Sequence, residues 1–169
     1  MARAALLAVL VVACVDRSAG NGLPARTTAP NSADSAFALV QDRGHAAMGV
    51  DQYTSSHRFE PLPDGGRISL QRDPTDSAGV AQIRSHMRRI AAAFARGDFA
   101  LPGFVHDRNV PGTAVMSARR SRIRYVADTL PGGGELRLQT SDSSAIAAIH
   151  QFLAFQRQDH RVTSHGANH

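Results

Sequence analysis

The chain has 169 residues, a formal net charge of +5, one cysteine and no tryptophan. With 43% apolar and 20% charged residues it is neither a disordered nor a polytopic membrane chain, and its length suits one domain with a sizeable core. A single cysteine excludes an intramolecular disulfide framework, a CxxC pair and a thiolate zinc cluster; all 19 basic residues are arginine, so Schiff-base and P-loop lysine chemistry are excluded too.

In chain order, residues 1–13 have the layout of a short export signal. Arg3 supplies a positive start, and Ala4 to Ala13 form an uncharged apolar stretch. That stretch is well short of the ~20 residues a membrane-spanning helix needs. It ends in Val11-Val12-Ala13-Cys14, which resembles the bacterial lipobox, in which the cysteine is lipidated and becomes the first residue. Val15 rather than aspartate follows, which by resemblance to lipoprotein sorting favours the outer membrane of a Gram-negative envelope, with the domain facing the periplasm. Residues 14–35 are then a lipidated Cys14 and a Ser-, Ala-, Asn- and Pro-rich tether. A folded domain is expected over 36–161, followed by a histidine-bearing tail at 162–169. Removing residues 1–13 takes away only Arg3, leaving +4. In this compartment, with 5% aromatic residues, the arginine clusters at 84–89 and 119–124 read as solvated faces, with anionic lipid headgroups or polysaccharide as the lesser alternative, rather than as a nucleic-acid site.

Within the domain the chain repeats itself at an offset of 68 residues. Leu62 to Gln71 and Leu130 to Gln139 agree at six of ten positions, and Gly44, Ala46 and Met48 match Gly112, Ala114 and Met116. Each copy, about 44–97 and 112–161, reads as two strands and a helix. Tyr53, Ser55, His57 and Phe59 alternate along a first strand, with Ile68 and Leu70 on the second; Ile123, Tyr125, Ala127, Leu136 and Leu138 repeat this. Pro-Asp-Gly-Gly and Pro-Gly-Gly-Gly supply turn glycines for antiparallel hairpins. Asp76 and Asp142 are expected helix N-caps, with apolar stripes Val80, Ile83, Met87 and Ile146, Ile149, Leu153. The expected fold is α+β: a tandem ββα repeat making a four-stranded antiparallel sheet, two helices on one face, related by a pseudo-two-fold.

The chemistry-bearing residues are histidines, eight in all. His57 shares a strand face with Phe59, and His160 falls on the second helix's stripe, where its counterpart is Phe94. His86 and His150 sit at stripe edges. His106 lies in the inter-repeat loop, and His165 and His169 in the tail. The sharp expectation is a transition-metal site of His57, His86, His150 and His160 with Met48 and Met116, copper first because thioethers select soft copper(I). Asp159 or Asp107 would orient a ligand from behind. The bland expectation is that each histidine is separately satisfied. No HxH, HxxxH or HExxH spacing is present, no GxSxG marks a nucleophile, and an acid–base pair such as Asp51 with His57 has no distinguishing signature.

The segments MGVDQYTSSHRFEPLPDGGRISLQRD, HMRRIAAAFARGDF, VPGTAVM and AIHQFLAFQRQDHR resemble a group of small exported bacterial proteins, over about residues 44–161. Some members carry the label aspartate carbamoyltransferase. The residues here do not support that label: the S-T-R-T phosphate loop and the H-P-x-Q segment are both missing. The resemblance implies export and a shared fold, and transfers no catalytic residue. The leading expectation is therefore an envelope lipoprotein with a non-enzymatic domain for a small ligand or metal. The alternatives are a module binding a protein or envelope polymer, and a hydrolase or transferase using His57 with an aspartate.

Overall fold

In the computed structural model the described residues are 32–161. The leader, Cys14, residues 14–31 of the tether and the 162–169 tail lie outside them. The first repeat contributes strands β1 (Ser56–Leu62) and β2 (Gly65–Gln71), and the second contributes β3 (Arg124–Leu130) and β4 (Gly133–Gln139). All three pairings are antiparallel, in the order β1-β2-β4-β3, so the two hairpins join through their second strands. Helices α2 (Ser77–Ala95) and α5 (Ser143–Asp159) follow the hairpins, giving the α+β sheet-and-helix layout the repeat implied.

The local signals operate as physics requires. Asp76 Oδ1 accepts from the Gly79 amide at 2.9 Å, and Asp142 Oδ1 from the Ala145 amide at 3.1 Å. Each aspartate thus satisfies one of the free N–H groups that open a helix. Val80, Ile83 and Met87 are buried, as are Ile149 and Leu153, while Ile146 is half-buried and Ala145 and Ala148 take up the contact beside it.

The helices, however, cross over. α2 packs on β3 and β4 of the second repeat, and α5 packs on β1 and β2 of the first. The two units are reciprocally wrapped, and neither helix lies mainly on its own hairpin.

This crossing changes the role of the glycines. Pro63-Asp64 and Pro131-Gly132 make the turns, whereas Gly65 and Gly133 are the first residues of β2 and β4. Gly65 has φ +132°, a conformation side chains avoid, and an added Cβ would stand 2.2 Å from the Leu138 carbonyl oxygen. At Gly133 the Cβ would stand 2.1 Å from the Leu70 carbonyl oxygen and 3.1 Å from Ile83 of the crossing helix. These positions are bare because β2, β4 and the helices meet there, rather than to bend the turn.

Three further elements frame the site. Helix α1 (Ser32–Met48) starts ahead of the residue 36 expected to open the domain, and so includes the end of the segment read as tether. Helix α3 (Ala100–His106) packs on α1 and occupies what reads in sequence as an inter-repeat loop. Helix α4 (Thr113–Ala118) packs on α5 and leads through a 3-10 turn (Arg120–Arg122) into β3. Tyr53 is not on the first strand as its alternation suggested: it precedes β1 in a turn, 67% exposed, with Asp51 Oδ1 accepting from its amide at 2.7 Å. That Asx-type turn outcompetes the strand pattern locally.

Replacing Gly133 or Gly65 with alanine forces backbone apart at the centre of the sheet. Each change is expected to lower stability by about 2 kcal/mol or more. Gly103→Ala, whose Cβ would stand 3.8 Å from the Arg108 carbonyl oxygen, should cost much less. Urea unfolding monitored by circular dichroism measures both.

Candidate functional site

Where α1 and α3 meet α2, α5 and β1, the packing leaves a cavity of about 80 Å³. Its wall is largely apolar, including Phe59, Phe94 and Phe152, and carries His57, His86, His106 and His160 together with Met48 and Met87. Four histidines from four elements thus converge. His57 comes from the start of β1 and His86 from the buried face of α2, while His106 ends α3 and His160 caps the C-terminus of α5.

The rings are stacked rather than splayed. His57 lies on His160 with centroids 5.0 Å apart and planes at 28°, and on Phe59 at 5.7 Å and 6°. His106 meets His160 edge-on at 5.1 Å. Imidazole donates its lone pair in the ring plane, so near-parallel rings do not aim their nitrogens at one point. Consistent with this, no group of three or more His, Cys, Asp or Glu side chains among the described residues is arranged to hold a metal ion.

His106 is the residue that sequence reading passed over. Its ring is held on both sides, Nδ1 by Asp159 Oδ2 in a short contact and Nε2 by Gln156 Oε1 at 2.9 Å. Arg108 grips the other Asp159 oxygen at 2.9 Å. Asp159 therefore orients a histidine that reads in sequence as part of a loop, not one of the expected metal ligands. The available signal was Leu101 and Val105 at helical spacing just before His106.

Two of the expected ligands lie elsewhere. Met116 is fully buried on α4 and does not line the cavity. His150 spends Nε2 as a donor to the carbonyls of Leu62 and Gly65, each at 3.0 Å, which are the ends of the first hairpin's turn. Its repeat counterpart is Arg84, whose guanidinium donates to Gly133 at 3.0 Å and Leu130 at 2.7 Å across the second turn. An arginine and a histidine thus do the same work, each clamping the hairpin on which its helix crosses. Asp51, the carboxylate weighed with His57, has Oδ1 accepting from the Tyr53 amide in its own turn at 2.7 Å.

Three of the four cavity histidines are held as neutral imidazoles. Burial, reinforced by neighbouring His86, lowers the His57 pKa to about 4. Burial and then Arg89 lower His86 to about 4, and burial followed by His57 and His106 lowers His160 to about 3. At neutral pH these three rings are uncharged. His160 Nδ1 is buried and has no hydrogen-bond partner among the described residues.

No family model matches the chain, and no curated protein or solved structure matches it.

The lowered pKa values set the sign of the pH dependence. The unfolded chain takes up protons as pH falls through 6.5, while the folded chain resists until about 4 or below. Stability should therefore be full above about pH 7 and fall below it, each histidine contributing at most ~1.4 kcal/mol per pH unit. His160→Phe installs the residue found at the equivalent position of α2, Phe94. It should hold the fold at neutral pH and visibly flatten the decline between pH 6.5 and 4, read from melting temperatures across that range.

Proposed function

We propose that the chain is an exported envelope lipoprotein, anchored through Cys14, whose domain receives a small uncharged ligand in the histidine-lined cavity. The observation that carries the ligand reading is that His160, which lines this largely apolar cavity, has a buried Nδ1 with no hydrogen-bond partner among the described residues. A buried polar atom left unpaired is costly, and a ligand bearing one hydroxyl would relieve that cost whichever tautomer the ring adopts. The volume, about 80 Å³, is roughly half that of the ~150 Å³ engineered cavity that admits benzene, so it suits a ligand of a few heavy atoms. Neutral imidazoles and thioether sulfurs favour such a guest over a carboxylate or an ammonium ion.

Copper(I) is the second reading, favoured by the thioethers of Met48 and Met87 beside unprotonated imidazoles in one cavity. It requires the His57–His160 stack to open so that ring nitrogens converge.

The methionine methyl groups report on both readings. In NMR of methyl-labelled protein, 2-propanol should shift the Met48 and Met87 methyls saturably and leave Met116 unmoved, and His160→Phe should weaken that response several-fold. Copper(I) titration with elemental analysis tests the second reading, using a His57→Ala/His160→Ala variant. Tight metal binding lost in that variant would replace the first reading, and silence of both methyls toward every probe would remove both.

A further inference from the structure

A separate feature lies at the opposite end of α2 from its cap. The C-cap of α2, the C-cap of α4, the 3-10 turn and the start of β3 supply Arg96, Arg119, Arg120, Arg122 and Arg124 to one corner, where α2 packs on β3 and on the 3-10 turn. The corner is tied together: Ser117 Oγ donates to the Gly97 carbonyl at 2.8 Å, and Arg120 packs so closely on Gly97 that an added Cβ would lie 2.9 Å from its Cδ. Its acidic groups are few. Asp142 is shared by Arg119 at 2.6 Å and Arg122 at 3.4 Å, and Asp98 Oδ1 accepts from the Ala100 amide. Arg96 and Arg120 reach only backbone carbonyls, Arg124 shows no acidic partner among the described ion pairs, and all three are exposed.

We propose that this arginine corner docks on an anionic phospholipid surface. Guanidinium groups bind phosphate oxygens in bidentate fashion and carry weakly held water, so they suit a headgroup layer. None of the five lines the histidine cavity or the shallow cleft at Tyr53–Asp73. They lie apart from both, and the exposed Arg96, Arg120 and Arg124 present positive charge outward to an extended anionic surface. The neighbouring aromatic residues Phe99 and Tyr125 pack against the core rather than standing free as the base-stacking platform a single-stranded nucleic acid uses. A basic patch is also the usual second signal that strengthens attachment of a lipid-tethered protein.

The test uses the full chain carrying Cys14→Ser, so that acylation plays no part. Binding to vesicles of phosphatidylcholine alone is compared with binding to vesicles containing one-third phosphatidylglycerol, at low and high salt. The expected result is salt-sensitive preference for phosphatidylglycerol, weakened about tenfold or more by Arg120→Glu/Arg124→Glu. Arg58→Glu/Arg67→Glu, with the same charge change on strands β1 and β2, should retain the preference, and melting temperatures check that both variants are folded. Equal binding to the two vesicle types, or equal loss in both variants, overturns the proposal. Tighter binding to dextran sulfate or single-stranded DNA than to the anionic vesicles at the same salt also overturns it.

Discussion

The structure depends on the reciprocal crossing of two helices over each other's hairpins. Each ββα unit has one apolar sheet face and one apolar helix stripe, and neither buries the other within its own unit. Packing α2 on β3–β4 and α5 on β1–β2 covers both faces at once, and β2–β4 pairing closes the sheet between them. The close approach at Gly65 and Gly133 makes this geometry possible, because any Cβ there would strike the facing strand's carbonyl. Burial is mutual, so the two halves form one cooperative unit, with little to hold either alone.

The crossing also explains the polar contacts that would otherwise look unrelated. Arg84 and His150 occupy equivalent places on the two helices, and each donates to the turn carbonyls of the opposite hairpin. The donor differs between the two repeats, but the bond to the turn is made in both. His150 is therefore a structural donor held by geometry, while its sequence neighbours Ile149 and Phe152 serve the core.

The histidine cavity arises where the pseudo-symmetry fails. At the equivalent positions Phe94 is apolar and His160 is not, and α1 and α3 cover this end. A domain that otherwise fills its interior with aliphatic and aromatic groups places stacked imidazoles here, at the expense of stability at low pH. A fully packed core would have used phenylalanine at both positions. The retained imidazoles and the orphaned nitrogen are what set this region apart from ordinary packing.

The sequence by itself determined the repeat, the strand and helix types, the two aspartate caps, the apolar stripes and the four-stranded antiparallel sheet. All of these rest on interactions between residues a few positions apart, or on alternation along one element. Tertiary structure alone decided which hairpin each helix covers, since the two hairpins present nearly the same Leu-Pro-x-Gly-Gly and Leu-Gln surface and the stripe fits either. It likewise decided that His106 joins the cavity and that His150 and Met116 do not. A histidine's role follows from the groups facing it across the fold, and those are set by long-range packing that no local spacing encodes.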